Sequence, residues 1–289
     1  MKTPMGGFAF LLLAGLPVSG LFAQVRMPGG EFGLVPFLRL REEAYVLGED
    51  PVLSYVRELE FDSSGRLKSE SYFNADGTPG SRILSFYDGE SRLLWREFHH
   101  PGAGTPDMET FVYSPYPPYP LISLERLYTT GTYGWRFEYA YDESGRLQEI
   151  KKFDRYWKNL LVWQRRLEYD GEDRLKGETA FGQDPFIRWR FEYDYPSSGE
   201  TERRIFNYRD AQSGRTVYRF NEKGHLTGET EFDSLGEAVS ETRYFYRYDS
   251  RGNWTAKYIA RSLPASGEAF DIRGYYLRSY EYPPDFPEP

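Results

Sequence analysis

The chain has 289 residues, of which 44 are acidic and 36 basic, so its formal net charge is −8. This balance argues against a nucleic-acid-binding protein, which would carry a basic stripe that contacts phosphates. The chain has no cysteines, which excludes disulfides, zinc–thiolate sites and thiol nucleophiles. Its 25 Tyr and 21 Phe suit half-buried pleated surfaces, so the composition favours β-structure.

The N-terminus, residues 1–23, has the features of a secretory signal peptide. Lys2 supplies a short positive region, an apolar stretch follows, and small residues precede a cleavage position after Ala23. An uncleaved membrane anchor is the alternative, which Pro17 and Ser19 disfavour. We therefore expect an exported bacterial protein that is periplasmic, on the cell surface or secreted, with no membrane span once the signal is removed.

Three further segments follow the signal peptide. Residues 24–51 mix Gly, Pro and charged residues, which predicts a linker with one strand at most. Residues 52–282 carry regular alternation of aromatic and charged residues and form the predicted β domain. Residues 283–289, "PPDFPEP", predict a disordered C-terminal tail.

A short turn motif recurs at near-constant intervals through the β domain. Each interval has room for two strands and two turns, which is the spacing of consecutive antiparallel hairpins. The aromatic residues that begin the motif are Phe61, Tyr87, Tyr113, Tyr141, Tyr169, Tyr193, Phe220 and Tyr248.

The residues after each aromatic predict a tight turn. An Asp can accept backbone N–H groups ahead of it, and a Gly accepts the positive φ at which such turns end. An Arg four residues after the Asp predicts an exposed ion pair of about 0.2–1 kcal/mol. The structural turn residues predicted in this way are Asp62, Gly65, Asp88, Asp142, Gly145, Asp170, Gly224, Asp249 and Gly252.

Alternation after the turns predicts which side chains share a face. A leucine precedes a phenylalanine by six residues in four units, and an even offset places both on one face of a regular strand. Small residues between them are predicted to leave room for large neighbouring rings. The pairs are Leu67 with Phe73, Leu147 with Phe153, Leu175 with Phe181 and Leu226 with Phe232, and the small residues are Ser69, Gly177 and Gly228.

The repeated "YDESGRL" at Tyr141 to Leu147 resembles the Tyr-Asp-x-x-Gly-Arg-Leu unit of the YD-repeat (RHS-repeat) family. "YRYDSRGNWTAKY", from Tyr246 to Tyr258, is similar to terminal repeats of its short exported members. A weaker resemblance is to MORN-like repeat proteins. The YD-repeat resemblance implies long antiparallel sheets that spiral or curl, in some members into a toxin-enclosing shell.

The expected fold is therefore all-β, with repetitive antiparallel hairpins in one long twisted or curled sheet. An outer-membrane barrel is disfavoured because both strand faces carry charges and the chain ends in a polar, Pro-rich tail.

No catalytic, cofactor-binding or metal-binding residue stands out from its repeat equivalents, and the chain has only three histidines. The first hypothesis is an exported, non-catalytic protein of the cell envelope that binds or scaffolds a glycan or a protein, with unknown oligomeric state. Trp157, Trp163 and Phe245 are the candidate ligand-contact aromatics. The alternatives are an exported carbohydrate-active enzyme with two convergent carboxylates, and a remnant or partner of a polymorphic-toxin shell.

Overall fold

The computed structural model describes residues 37–47, 50–128, 134–154, 159–182, 188–264 and 270–283. The predicted signal peptide, Trp157 and residues 284–289 of the predicted tail lie outside these ranges. Within them, no helix is long and apolar enough to cross a membrane. The strands are β1 (Arg39–Leu47), β2 (Pro51–Phe61), β3 (Leu67–Asn74), β4 (Pro79–Tyr87), β5 (Leu93–His99), β6 (Asp107–Tyr113), β7 (Leu121–Leu127), β8 (Gly134–Tyr141), β9 (Leu147–Asp154), β10 (Leu160–Tyr169), β11 (Leu175–Gly182), β12 (Arg188–Ser197), β13 (Glu200–Phe206), β14 (Gln212–Phe220), β15 (Leu226–Phe232), β16 (Ala238–Tyr248), β17 (Trp254–Ser262) and β18 (Asp271–Glu281).

The strands form one closed antiparallel ring. Each strand pairs with the next along the chain, and β1 also pairs with β18, where Leu40 lies opposite Tyr280. The all-β, antiparallel hairpin prediction is confirmed. The prediction of one long twisted or curled sheet is wrong, because β1 joins the two ends into an 18-stranded barrel. Closure pairs the edges that an open sheet would expose. The joining strand β1 lies inside the stretch interpreted as a linker.

In each of the four Leu–Phe units a β-bulge follows the turn and separates the faces of the leucine and the phenylalanine. In β3, Leu67 lies opposite Phe61 and Ser69 lies opposite Glu60, which leaves Lys68 as an extra residue. One extra residue shifts the alternation by one. Leu67 and Phe73 therefore lie on opposite faces, and the single-face prediction is wrong. The same register shift follows the turns before Leu147, Leu175 and Leu226.

One face of the barrel is much more buried than the other. Leu40, Leu59, Phe111 and Phe137 share this face and are all buried. Side chains on the concave side of a closed sheet converge, so this is the inner face. The opposite face, which includes Phe73, is the outer face.

The small residues after the turns lie on the outer face. Gly177 pairs with Glu168 and Glu192, and Gly228 pairs with Arg219 and Arg243. A Cβ added at Gly177 would meet Glu168, and one added at Gly228 would meet Arg219. The prediction that these positions, with Ser69 opposite Glu60, leave room for rings is therefore wrong. The rings that fill the core point to the other side of the sheet.

Two hydrophobic clusters occupy the inner face. The larger joins β6, β7 and β8 through Phe111, Leu121, Leu124 and Phe137. The other lies where the chain ends meet and contains Phe37, Leu40 and Leu59, with Tyr280 and Tyr282 packed against it. The second cluster therefore reinforces the β1–β18 closure.

Candidate functional site

The Asp of each turn organises the backbone around it. Asp142 Oδ1 accepts the N–H groups of Ser144 at 3.0 Å and Arg146 at 2.9 Å, and Oδ2 accepts Arg146 Nε–H at 2.7 Å. Gly145 ends the turn with φ of 78°. Asp62, Asp88 and Asp170 accept the equivalent three hydrogen bonds, and Asp249 accepts the two backbone bonds.

The positive-φ position holds glycine in some turns and a short polar residue in others. Gly65, Gly224 and Gly252 lie there with φ between 76° and 85°. In the turns that begin at Asp88 and Asp170 the same conformation is taken by Ser91 at 66° and Asp173 at 60°. Short polar side chains tolerate this region better than most residues do.

Each turn of this motif also contacts the following hairpin. The Arg146 guanidinium lies 5.0 Å from the ring centroid of Tyr169, and Tyr169 Oη–H donates to the Leu147 carbonyl at 2.8 Å. Arg66 over Tyr87 and Arg174 over Tyr195 repeat this arrangement at 5.0 and 4.6 Å. The motif therefore ties neighbouring hairpins together, and its chemistry is structural.

The last turns use other groups for the same purpose. His225 replaces the Arg and its Nδ1 lies 2.8 Å from Tyr248 Oη. Asn253 replaces the Arg in the turn that begins at Asp249, and its Nδ2–H₂ donates to Tyr282 Oη at 2.7 Å. Arg174 covers the ring of Tyr195. This residue lies two positions after Tyr193, the aromatic residue that the sequence predicted to begin that motif.

The predicted ligand-contact aromatics are separated by the fold. Trp157 lies outside the described residues. Phe245 lies on the outer face of β16 and is 54% exposed. Trp163 lies on the inner face of β10, packed against the larger hydrophobic cluster, with its ring 5.6 Å from Phe137. The structure therefore does not bring the three together.

A second tryptophan accompanies Trp163 on the inner face. Trp163 pairs with Gly182 of β11, and Trp189 of β12 pairs with Ala180 of β11. The side chains between the two tryptophans are therefore small, and Trp189 is 45% exposed. We call Trp163, Ala180, Gly182 and Trp189 the tryptophan trough. Trp189 was not predicted as a ligand contact; its alternation with Phe191 and Tyr193 along the sequence was the available signal for its face.

Charged groups border the tryptophan trough. Arg165 pairs with Ala180, its guanidinium lies 5.1 Å from the Trp163 ring, and its Nη1 lies 3.2 Å from Glu178 Oε1. Lys152 of β9 pairs with Trp163 from the other side. The exposed Trp189 ring beside hydrogen-bonding groups has the usual composition of a small-molecule site.

A polar patch lies on a different part of the inner face. Glu229 and Glu231 of β15 are flanked by Tyr218 of β14 and Tyr244 of β16. Burial, with help from Glu231, raises the pKa of Glu229, although Arg203 and a hydrogen bond from Tyr244 oppose the shift. Burial also raises the pKa of Tyr244 to about 12. Sequence alone did not distinguish these carboxylates, because only pairing shows what surrounds them.

A third group of inner charges is more deeply buried. Glu109 is 0% exposed and accepts a hydrogen bond from Arg126 Nη1 at 3.4 Å. Arg126 Nη2 also lies 3.6 Å from Asp107 Oδ2. Burial raises the pKa of Glu109 against the opposing charges of Arg126 and Arg96. Because Glu109 is fully buried and paired with Arg126, this group fits a structural role. In the described part of the chain, no three His, Asp or Glu side chains are grouped so as to hold a metal ion.

The outer face carries ion pairs and arginine-covered rings. Arg41 Nη1 lies 2.6 Å from Glu58 Oε1, and Arg215 Nη1 lies 2.7 Å from Glu202 Oε2. Further ion pairs lie on other strands of the barrel. Arg215 also covers Phe232, with its guanidinium 3.9 Å from the ring centroid. Both signs of charge therefore alternate over this surface.

Comparisons with known proteins give only distant likenesses. No family model and no curated protein matches the chain. A porin-like protein from Bacteroides uniformis is similar with a TM-score of 0.49 and 14% identity, over 85% of this chain and 97% of that one. A porin-like protein from Bacteroides vulgatus gives 0.34 and 10%, over 85% and 98%. TcdB2–TccC3 gives 0.29 and 12%, over 86% of this chain and 18% of that one. Likenesses of this strength assign no function.

Proposed function

We propose that the chain is an exported, non-catalytic protein of the cell envelope that works in water and binds a ligand, a glycan or another protein. The charged outer face is the observation that carries this proposal. A barrel that spans a membrane needs an outward apolar band about 25 Å tall, and each charge at its midplane costs about 2–4 kcal/mol. Ion pairs such as Arg215 with Glu202 belong instead on a surface that meets water.

The exposed apolar residues of the outer face support the same proposal. Met108, Val112, Val239 and Phe245 are exposed there, on β6 and β16. Single apolar residues on a polar surface are ordinary in proteins that meet water.

Membership of the YD-repeat family is part of this proposal. It is supported by the repeated Asp–Arg turns and by the way in which Arg146 reaches Tyr169 of the next hairpin.

Fractionation of cells that express the full chain tests this proposal. We expect the protein in the exported fraction, without residues 1–23, and released from membranes by alkaline carbonate without detergent. Recovery only in detergent, or retention in the cytoplasm with the N-terminus intact, contradicts it.

An exported carbohydrate-active enzyme is the second candidate, and Glu229 with Glu231 is the observation that favours it. Residues two apart on one strand face lie about 6.6 Å apart at Cα, a spacing from which carboxylates can flank a glycosidic bond. The raised pKa of Glu229 suits a general acid. The test measures release of reducing ends from a panel of polysaccharides. Turnover that disappears in both Glu229→Gln and Glu231→Gln supports the enzyme, and no turnover by the unaltered protein leaves the binding proposal.

A further inference from the structure

We propose that the tryptophan trough binds a neutral glycan chain. The inference rests on the proposed binding function and adds its site and its ligand class. The proposal is based on two aromatic rings, on the small side chains between them and on the charges around them.

The side chains between the two rings are small, because β11 contributes Ala180 and Gly182 there. Ala180 lies between Arg165 and Trp189, and Gly182 lies beside Trp163. Two strand spacings and two residues along the strand separate the Cα atoms of the tryptophans by about 12 Å. Since Trp189 is 45% exposed, its ring is accessible without any rearrangement. Two rings at this separation can each contact a sugar of one chain.

The side chains that line the tryptophan trough favour a sugar ligand. The flat faces of Trp163 and Trp189 suit the C–H-bearing faces of sugar rings, and a large aromatic surface contributes strongly to burial. Arg165 and Glu178 supply hydrogen-bond donors and acceptors next to the Trp163 ring. This pair is already 3.2 Å apart, so its two charges balance each other. Of the three named border residues Lys152 is then the one remaining cation, which favours a polyhydroxyl ligand over a highly charged one.

The closed ring disfavours a peptide ligand. An extended peptide usually binds a sheet by pairing with a free strand edge. Within the described ranges, each of the 18 strands already has a partner on both sides. An amphipathic helix needs an apolar groove, whereas the trough is bordered by Arg165, Glu178 and Lys152. A glycan is the ligand that uses rings and hydrogen-bonding groups without needing a strand edge.

Titration of the mature, intact protein with neutral hexasaccharides tests the inference. Gluco-, xylo-, manno- and chito-hexaose are added separately while tryptophan fluorescence and heat of binding are followed. We expect at least one series to bind, with Trp189→Ala weakening binding by about tenfold or more, as removal of one stacked ring implies. Trp189→Phe, which keeps a ring, is expected to bind more tightly than Trp189→Ala.

Phe245→Ala is the matched control, because it removes an exposed ring from the outer face. Its binding is expected to be unchanged, and unfolding curves for every variant show that each is folded. Equal binding by Trp189→Ala and the unaltered protein overturns the inference, as does failure of all four sugars to bind. If an immobilised sample then retains a defined envelope protein, the binding function stands without the glycan site. If it retains nothing, both fail.

Discussion

The guanidinium of Arg146 lies 5.0 Å from the ring centroid of Tyr169, held there by Asp142, whose Oδ2 is 2.7 Å from Arg146 Nε. The turn between β8 and β9 thus holds the strand that leads into the next turn. The same relationship joins Arg66 to Tyr87. The recurring residues therefore act between hairpins as well as within them, which explains why they recur at the period of a hairpin.

Substitutions at Tyr169 separate its two contacts. Tyr169→Phe removes the hydrogen bond to the Leu147 carbonyl and leaves the ring under Arg146. We expect a loss of about 1 kcal/mol in the free energy of unfolding. Tyr169→Ala also removes the ring and is expected to cost roughly 2 kcal/mol, below the ~3–5 of a fully buried ring. Denaturant unfolding measures both, and equal losses for the two variants contradict a role for the ring.

Acid should destabilise the turns. A hydrogen bond from the backbone N–H of the arginine four residues later lowers the pKa of Asp88, Asp142 and Asp170. A pKa that is lower folded than unfolded gives stability that is present above the ordinary value of about 3.9. That stability is lost as pH falls through the folded pKa values. Unfolding measured from about pH 6 to about pH 2 should show the loss, and the triple Asp→Asn variant should show less of it.

Glu229 has the opposite pH dependence. Because burial, with Glu231, raises its pKa, the folded protein binds this proton more tightly than the unfolded chain does. Its contribution to stability is therefore present below the ordinary glutamate pKa and is lost as pH rises through the raised folded value. Glu229→Gln should increase the free energy of unfolding near neutral pH and reduce its slope with pH. A destabilised variant at neutral pH would mean that the ionised carboxylate supports the fold.

Two strand glycines should respond differently to alanine because the contacts that a Cβ would make differ between them. A Cβ at Gly214 would lie 2.7 Å from the Phe232 carbonyl oxygen, so Gly214→Ala should cost about 1–3 kcal/mol. A Cβ at Gly177 would come no closer than 3.6 Å to Glu168, so Gly177→Ala should be neutral or stabilise by up to about 1 kcal/mol. Thermal or urea unfolding of the two variants measures this difference in the free energy of unfolding. Equal stability of the two variants would mean that the backbone at Gly214 shifts to accommodate the Cβ.

The hairpins could be predicted from sequence because turn chemistry and alternation are local signals. The bulges could not, since Lys68 differs in no local way from a regular strand residue, yet it moves Phe73 to the outer face. Closure could not be predicted either, because periodicity does not say which strand meets the first. The even offset between Leu40 and Ala44, with Arg41 and Glu43 between them on the other face, was the available signal for β1.

The candidate site could be predicted only in part. Trp163 was identified by residue type, whereas the exposure of Trp189 depends on Ala180, which lies beside it only through strand pairing. Glu229 and Glu231 gained their distinct surroundings in the same way, from Tyr218 and Tyr244 on neighbouring strands. Single-sequence reasoning gives no cross-strand register, so such neighbours remain hidden.

Closure of the ring can be measured most directly with two cysteines in a chain that has none of its own. Arg41 of β1 lies opposite Ser279 of β18, and paired residues have Cα atoms about 4.5–5.5 Å apart, within the range of a disulfide. We expect Arg41→Cys with Ser279→Cys to form an intramolecular disulfide on oxidation, seen as faster migration in a non-reducing gel. Arg41→Cys with Glu58→Cys, a pair within the first hairpin, is the control. A disulfide in the control but none between β1 and β18 would contradict the closed barrel.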